Sequence, residues 1–305
     1  MINVPPATLL RAEIQRLHAQ YPAHYVFALL DPHRPLDVEH PLHLSSLRQQ
    51  EPKLDIQTVL RPDLDYLPEI CPHLLTLAQP NDAPPVPDDL LEQLVEQASI
   101  EWDSSDGVYV CGVLVSSAPA RATAQHLAQA LVIRPSEDAE HCVVALFEPP
   151  RLEALVRSVP QTWLDAWLGP IAAWRYVNAA GQIGQINRAS EMPTVATPIL
   201  PPGAYAAQQR IPLLNRLLNA WRDIDGLPPD AARRADEALQ QAAQHGLVAS
   251  GDQLFFALNG LLLPERWAQH PATRACIQQA VAAESSLPDA FAKLDAQTQA
   301  EIVRI

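Results

Sequence analysis

Glu148 and Arg151 are the residues of this chain whose setting is most typical of a functional site. They lie in VVALFEPPRLEALV, residues 143–156, where two prolines separate an apolar run typical of a buried strand from a helically spaced pattern. A carboxylate at such a joint can act as a general acid or base if a partner group lies within hydrogen-bond distance. The spacing of the sequence supplies no such partner. The structural alternative is that Glu148 tethers or caps the corner and pairs with a nearby arginine.

Other patterns that could carry chemistry are incomplete. Glu39, His40 and His43 in EHPLHL could bind a metal ion, but nearby prolines disfavour the helix that would align them. Asp63 and Asp65 are alternate acids without a third ligand. The motifs GxGxxG, GxxxxGK[ST], GxSxG and HExxH do not occur. We therefore predict a protein that is not an enzyme, with no catalytic residue, no metal and no cofactor.

Acidic residues are concentrated in one part of the chain, whose formal net charge is −14. Between Arg61 and Arg121 there is no Lys or Arg, whereas the interval holds the following acids: Asp63, Asp65, Glu69, Asp82, Asp88, Asp89, Glu92, Glu96, Glu101, Asp103 and Asp106. Such a field repels nucleic acid and anionic lipid and favours a basic protein partner. A solvated face that only maintains solubility is the alternative.

The helix predicted after residues 81–89 presents part of this charge. Leu90, Leu91, Leu94 and Val95 form its apolar stripe, which leaves four acids for the other side. These candidate partner-binding residues are Asp88, Asp89, Glu92 and Glu96.

Trp163 and Trp167 are a further candidate contact, because residues four apart share a helix face. Exposed tryptophans often dominate the binding energy of protein interfaces. Packing in the core, together with Trp174, is the alternative.

The cysteines and the apolar segments indicate the environment of the protein. Four scattered cysteines form no CxxC pair and are expected in the core: Cys71, Cys111, Cys142 and Cys276. The N-terminal residues resemble no secretory signal, and no apolar stretch is long enough to cross a membrane. We expect a cytoplasmic protein without a membrane partner.

The order of apolar segments predicts an α/β fold. The strand-like runs YVFALL, GVYVCGVLVSS and CVVALFEP alternate with helical patterns, which favours a mixed, largely parallel sheet with flanking helices. PIAAWRYVNAAGQIGQI predicts a hairpin with its turn at residues 178–181. We predict this domain over residues 1–192, a linker over 193–205 and a small helical domain over 206–305.

Several of these segments, in this order, resemble the DUF4123 family, the effector chaperones or adaptors of bacterial type VI secretion systems. The resemblance covers roughly residues 21–177 and is carried by YVFALLDPHRP, LPEICPHLLTL, GVYVCGVLVSSAPARATAQHLAQALVI, CVVALFEPPRLEALV and WLDAWLGPIAAW. Its short motifs match at Leu30–Asp31, at Pro72 to Leu77, and at Trp167, Gly169 and Pro170.

This chain departs from the family pattern at two places. Where the family usually has FYDPR, it has LFEPPR, with Glu148 in place of the aspartate and an extra proline before Arg151. The usual tryptophan-glycine pair before the central strand is altered to Trp102 and a more distant Gly107.

The resemblance implies a non-catalytic adaptor that binds a toxic effector and promotes its loading onto the VgrG spike protein. It also implies that the helical C-terminal domain recognises the effector. Glu148 and Arg151 would then be structural or part of a docking surface. Two alternatives remain: a hydrolase that uses Glu148 with a histidine of the 33–43 loop, and an immunity protein whose acidic face blocks a basic toxin.

Overall fold

An antiparallel sheet of six strands organises the N-terminal part of the chain. The computed structural model describes residues 6–50, 53–81, 88–101, 108–190, 199–264 and 266–304. The chain divides into two units, Met1–Gln208 and Gln209–Ile305. Within the described ranges, no helix combines the length and the apolar character needed to cross a membrane.

The first unit alternates helices and strands along the chain. In order, they are α1 (Pro6–Gln20), β1 (Tyr25–Leu30), α2 (Leu44–Gln50), β2 (Ile56–Thr58), β3 (His73–Ala78), α3 (Asp88–Glu101), β4 (Val110–Ser116), α4 (Ala120–Ala130), β5 (Val132–Ile133), β6 (Cys142–Val143), α5 (Pro149–Ser158), α6 (Gln161–Leu168), β7 (Ile171–Val177) and β8 (Ile183–Asn187). A short 3-10 turn, Pro68–Ile70, precedes β3.

The predicted largely parallel sheet is wrong. The strand order is β2-β3-β1-β4-β7-β8, and every neighbouring pair is antiparallel. The segment CVVALFEP forms only the two-residue strand β6, which pairs with β5 in a separate sheet. After β6 the chain turns, since Leu146 N–H donates to Val144 O and Glu148 N–H donates to Ala145 O. It returns to the main sheet at β7, beside β4.

Helices on both faces of the sheet explain why its central strands β1 and β4 are almost entirely apolar. In β1, Phe27 and Leu29 pack in a core with α4, α5 and α6, whereas Val26, Ala28 and Leu30 pack in a second core with α1 and α3. An antiparallel sheet with one solvated face shows alternating apolar and polar residues, and this alternation is lost when both faces are covered. The continuous apolar runs therefore report double coverage and not strand direction.

Two local predictions for the first unit have different outcomes. The predicted hairpin is confirmed as β7 and β8, and Asn178 Oδ1 accepts hydrogen bonds from the N–H groups of Ala180 and Gln182 in its turn. The sequence SSAPA also predicts Ser117 as the N-cap of the following helix, with Pro119 in its first turn, and this prediction is wrong. The residue before α4 is Pro119, and the Ser116 hydroxyl instead accepts from Ala118 N–H.

The joint between α6 and β7 requires a glycine. Gly169 has φ of 53°, in a region that side chains with a Cβ rarely adopt. A Cβ at this position would lie 2.4 Å from Cε1 of His126, whose Nε2 is 3.0 Å from the Trp167 carbonyl oxygen. The tryptophan-x-glycine-proline motif of the sequence is thus a tight helix-to-strand joint.

The second unit is helical over its described length. Its helices, beginning with the one that contains the boundary between the units, are α7 (Pro202–Asp225), α8 (Ala231–Gln244), α9 (Ser250–Leu262), α10 (Pro271–Val281), α11 (Leu287–Ala292) and α12 (Ala296–Arg304). Phe256, Trp267 and Ile277 lie in its core. The sequence AAQHG predicts Gly246 as a C-terminal cap, and Gly246, with φ of 82°, lies just beyond the end of α8, where Leu247 N–H donates back to Ala242 O.

Part of the predicted linker lies outside the described residues. Of residues 193–205, only 199–205 are described, and α7 already begins at Pro202. Trp102 and Gly107 are also outside the described ranges.

Candidate partner-binding site

Glu148 lies at the start of α5 and pairs with Arg151 of the same helix. Arg151 Nε donates to Glu148 Oε2 at 2.9 Å, and the two side chains are about a quarter exposed. Pro149 and Pro150 occupy the first turn, where an N–H is not needed for the helix. The Glu148 side chain caps no backbone N–H group. An ion pair, and not a cap, therefore holds the corner.

Arg151 also connects the corner to α7. Its Nη1 donates to the Gln208 carbonyl oxygen at 3.2 Å, and Gln208 Nε2 donates to the Arg151 carbonyl oxygen at 3.0 Å. Gln208 is buried. Because each residue both donates to and accepts from the other, substitution of Arg151 removes one ion pair and weakens one reciprocal contact.

Asp31 contributes a second carboxyl group close to this corner. It directly follows β1, is 1% exposed, and its Oδ1 accepts from His33 N–H at 3.1 Å. Burial raises the pKa of Asp31 to about 7, and the charge of Glu148 acts in the same direction. The His33 N–H and the Arg61 guanidinium oppose this rise in pKa. The structure thus brings the Leu30–Asp31 step and the Glu148 corner within electrostatic range of each other.

Arg61 is the cation shared by these acids. Its Nε and Nη2 donate to the two carboxylate oxygens of Asp63 at 3.1 and 2.7 Å, and its charge acts on Asp31 and Glu148. The hydrogen bond from Arg61 holds the pKa of Asp63 below its ordinary value although partial burial opposes this. Asp63 is therefore engaged in a forked ion pair, and it does not form the cation site considered with Asp65.

Among the described residues, no direct hydrogen bond joins Glu148 to a histidine of the 33–43 loop, the pair on which the hydrolase alternative depends. Within the described residues, the side-chain hydrogen bond of Glu148 is with Arg151. His40 Nδ1 accepts from Leu42 N–H, and His43 Nδ1 lies 2.7 Å from Ser45 Oγ. Asp31 has a pKa suited to proton transfer, but its burial keeps a substrate from reaching the carboxyl group.

The histidines of the 33–43 loop do not converge on a metal site. Across the described parts of the chain, no group of three or more His, Cys, Asp or Glu side chains is arranged to hold a metal ion. His40 instead bonds within its own loop, and His43 bonds to Ser45 in the first turn of α2.

A cavity of about 610 Å³ lies beside the loop that follows Asp31. Its lining includes Pro32, Thr58 and His73, so segments from both of the first two resemblance motifs border it. His73 Nε2 is 3.2 Å from Thr58 Oγ1, and Nδ1 is 2.7 Å from the Cys71 carbonyl oxygen. Burial lowers the pKa of His73 to about 4, so this histidine is neutral at pH 7.

The four acids predicted on α3 are all exposed. Asp88, Asp89, Glu92 and Glu96 lie opposite the buried side of the helix, which Leu94 and neighbouring apolar residues press against the sheet. Asp88 pairs with Arg11 of α1 at 3.0 Å, whereas no ion pair forms to the other three within the described residues. We call Asp89, Glu92 and Glu96 the α3 acidic face.

The predicted tryptophan contact is mostly core. The rings of Trp163 and Trp167 stack at 6.3 Å, and those of Trp167 and Trp174 stack at 6.0 Å. Trp167 is 2% exposed and its Nε1 donates to Ala130 O, while the half-buried Trp163 donates to Ile199 O. A surface role for Trp167 does not fit this burial, and only Trp163 retains access to solvent.

Three residues of the site were not predicted from the sequence. The resemblance motif includes Asp31 without assigning it a role, although an Asp placed directly between a buried strand and a proline is a detectable signal. Arg61 is the last cation before the acidic stretch, which could also have indicated it. Gln208 carries no sequence signal, because its role depends on the fold alone.

Comparisons with known proteins identify no relative. No protein-family model matches the chain, and neither does any curated protein or solved structure.

Proposed function

We propose that this protein is a non-catalytic adaptor that binds a type VI secretion effector and promotes its loading onto the VgrG spike protein. The observation that carries the proposal is the convergence of the resemblance motifs. Asp31 and Glu148 are more than a hundred residues apart in the chain but share one electrostatic environment with Arg61.

The internal pairing of the corner favours a structural or docking role over a catalytic one. Glu148 is paired with Arg151, and Arg151 with Gln208, so neither charged group is free to transfer a proton to a substrate. Both side chains are still about a quarter exposed, so a partner can contact the corner without unfolding it.

The α3 acidic face supports a basic partner surface. Its three carboxylates are exposed, and no described ion pair neutralises them. Exposed charges of one sign attract a complementary surface over several ångströms and mainly accelerate association. The adaptor would therefore use this face for a partner rich in Lys and Arg.

The test is a pull-down of the full chain co-expressed with the products of its neighbouring genes, at low and high salt. Recovery of a toxin-like protein together with VgrG supports the adaptor, and recovery of neither overturns it. Protection of cells from a toxin by this protein alone would instead indicate an immunity protein.

A matched pair of triple variants assigns the surface. Asp89→Asn, Glu92→Gln and Glu96→Gln neutralise the α3 acidic face, and we expect about a fivefold loss of the captured partner. Glu137→Gln, Asp138→Asn and Glu140→Gln remove the same charge from exposed residues between β5 and β6 and should lose less than about twofold. Equal losses in both variants would show that capture depends on net charge alone, and would contradict a binding role for the α3 acidic face.

A further inference from the structure

The second unit has a charge balance different from that of the first. Residues 209–305 contain nine Lys or Arg and eleven Asp or Glu, so only two of the fourteen net negative charges belong to them. A site for an acidic partner is therefore electrostatically possible in the second unit, in contrast to the α3 acidic face of the first.

Two cavities in this unit share their charged lining. One, of about 390 Å³, and another, of about 650 Å³, are both lined by His245 and Arg274. His245 follows α8, and Arg274 lies on α10. Because both residues border both cavities, they stand where the two cavities meet.

The cationic group at this junction has no partner in the described structure. The Arg274 guanidinium makes no hydrogen bond or ion pair with a described residue, and the His245 ring packs against the Phe256 ring, at 4.9 Å between centroids. The described lining of the two cavities contains no acidic side chain. An unpaired arginine in such a setting favours a carboxylate.

The walls on either side of the junction differ in polarity. The larger cavity combines the aromatic rings of Phe256 and Trp267 with the polar side chains of Gln241 and Gln269, and the smaller has aliphatic walls from Ile277 and Val281. Val281 is half-exposed, so this wall is accessible from solvent. An occupant of both cavities therefore needs an aromatic ring for the larger cavity, an aliphatic group for the smaller one and a negative charge between them.

We infer that this junction binds a polypeptide segment of the effector in which an acidic residue stands between two apolar residues. The carboxylate pairs with Arg274 beside His245, and the flanking apolar side chains enter the two cavities. This inference rests on the proposed adaptor function and adds the chemistry of the segment that the helical unit recognises.

The direct test uses peptides and the full-length protein. Fluorescence anisotropy would measure binding of a labelled peptide with a leucine-glutamate-phenylalanine core between glycine-serine spacers. Matched peptides carry glutamine or lysine in place of the glutamate. We expect the glutamate peptide to bind most tightly and the lysine peptide least tightly. Equal binding of the glutamate and glutamine peptides, or no binding of any peptide, overturns the inference.

Variants locate the binding to the junction. Arg274→Glu should lower the affinity for the glutamate peptide by about tenfold or more, because an attraction between opposite charges becomes a repulsion between like charges. Arg216→Glu makes the same charge change at an exposed residue of α7 outside the cavity linings and should change the affinity by less than about twofold. Val281→Ser should weaken the binding of all three peptides, because it removes an apolar side chain from the wall of the smaller cavity. Equal effects of the two arginine variants would refute the site.

Two further measurements, phosphate binding and co-purification of the effector, distinguish failure of the site from failure of the adaptor function. If inorganic phosphate binds with the same dependence on Arg274 while the peptides do not bind, the junction is a site for small anions and the inference fails. If the effector co-purifies equally with the wild type and with Arg274→Glu, the adaptor function stands and the site is refuted. If no effector co-purifies with the wild type, the proposed function fails, and the peptide result still decides whether the junction binds acidic segments.

Discussion

Replacing Asp31 by Asn should make the protein more stable at pH 8 while leaving its stability at pH 4 nearly unchanged. Asp31 is buried and has a pKa of about 7, against an ordinary value of 3.8. The folded state therefore holds a proton between these two values that the unfolded state has released. The stabilisation from this proton is complete below pH 3.8 and is lost as the pH rises through the window to about 7.

The size of the effect follows from the width of that window. At about 1.4 kcal/mol for each pKa unit, the difference between 3.8 and about 7 corresponds to about 4 kcal/mol of unfolding free energy at most. Asn resembles the protonated acid and can still accept from His33 N–H, but it never acquires a charge. The unfolding free energy of the variant should therefore exceed that of the wild type by an amount that grows from pH 4 to pH 7.

His73 makes the comparison with the wild type necessary. Its pKa is lowered from 6.5 to about 4 by burial, so its stabilisation is present above pH 6.5 and is lost as the pH falls through that window. This pH dependence of stability has the opposite sign to that of Asp31 and can flatten the plot of unfolding free energy against pH for the wild type. The difference between the variant and the wild type cancels the contribution of His73 because both proteins retain it.

The assay is urea denaturation of both proteins from pH 4 to pH 8, followed by tryptophan fluorescence, with the unfolding of the first unit fitted as its own transition. Asp165→Asn is the matched control. Burial alone would raise the pKa of Asp165, but hydrogen bonds from Ala189, Gln161 and Ser190 lower it. That variant should be less stable than the wild type by a nearly constant amount from pH 4 to pH 8, because the stabilisation from a lowered aspartate pKa is lost only below the ordinary value of 3.8. A pH-independent difference for Asp31→Asn would refute the reasoning about its burial.

Two further substitutions test the joints of the first unit. Gly169→Ala should destabilise the protein by about 1–3 kcal/mol in thermal unfolding, because the new Cβ meets the His126 ring and φ is positive; an unchanged melting temperature would contradict the tight joint. Glu148→Gln should change stability by less than about 1 kcal/mol, because its ion pair with Arg151 is partly exposed. If this variant instead unfolds or melts several degrees lower, the corner is a stability element.

Features set by neighbouring residues could be predicted from the sequence, whereas features set by the fold could not. The β7–β8 hairpin and the Gly246 cap follow from turn chemistry, and the exposed acids of α3 follow from helical spacing. Strand direction could not be predicted, since apolar residues on both faces of β4 arise equally from a parallel sheet or from an antiparallel sheet covered by helices on both sides.

The candidate site likewise combines features that neighbouring residues determine with features that only the fold determines. The pairing of Glu148 with Arg151 could be anticipated, because residues three apart on a helix are neighbours. The approach of Asp31 to Glu148 depends on the strand order and has no signal in the spacing of the sequence. Trp163 and Trp167 do share a helix face, but spacing alone does not tell whether that face meets solvent or the core.

The stacked tryptophans give the first unit an intrinsic optical signature. Trp163, Trp167 and Trp174 form a series of nearly parallel indoles about 6 Å apart, with interplanar angles of 15° and 13°. The strong far-ultraviolet transitions of rings this close couple to one another, so the folded unit should contribute an exciton couplet to the circular dichroism spectrum. In the second unit, by contrast, Trp221 lies under Arg234 and Trp267 contacts phenylalanine rings. This couplet therefore offers a label-free signal by which unfolding of the first unit can be followed separately from unfolding of the helical unit.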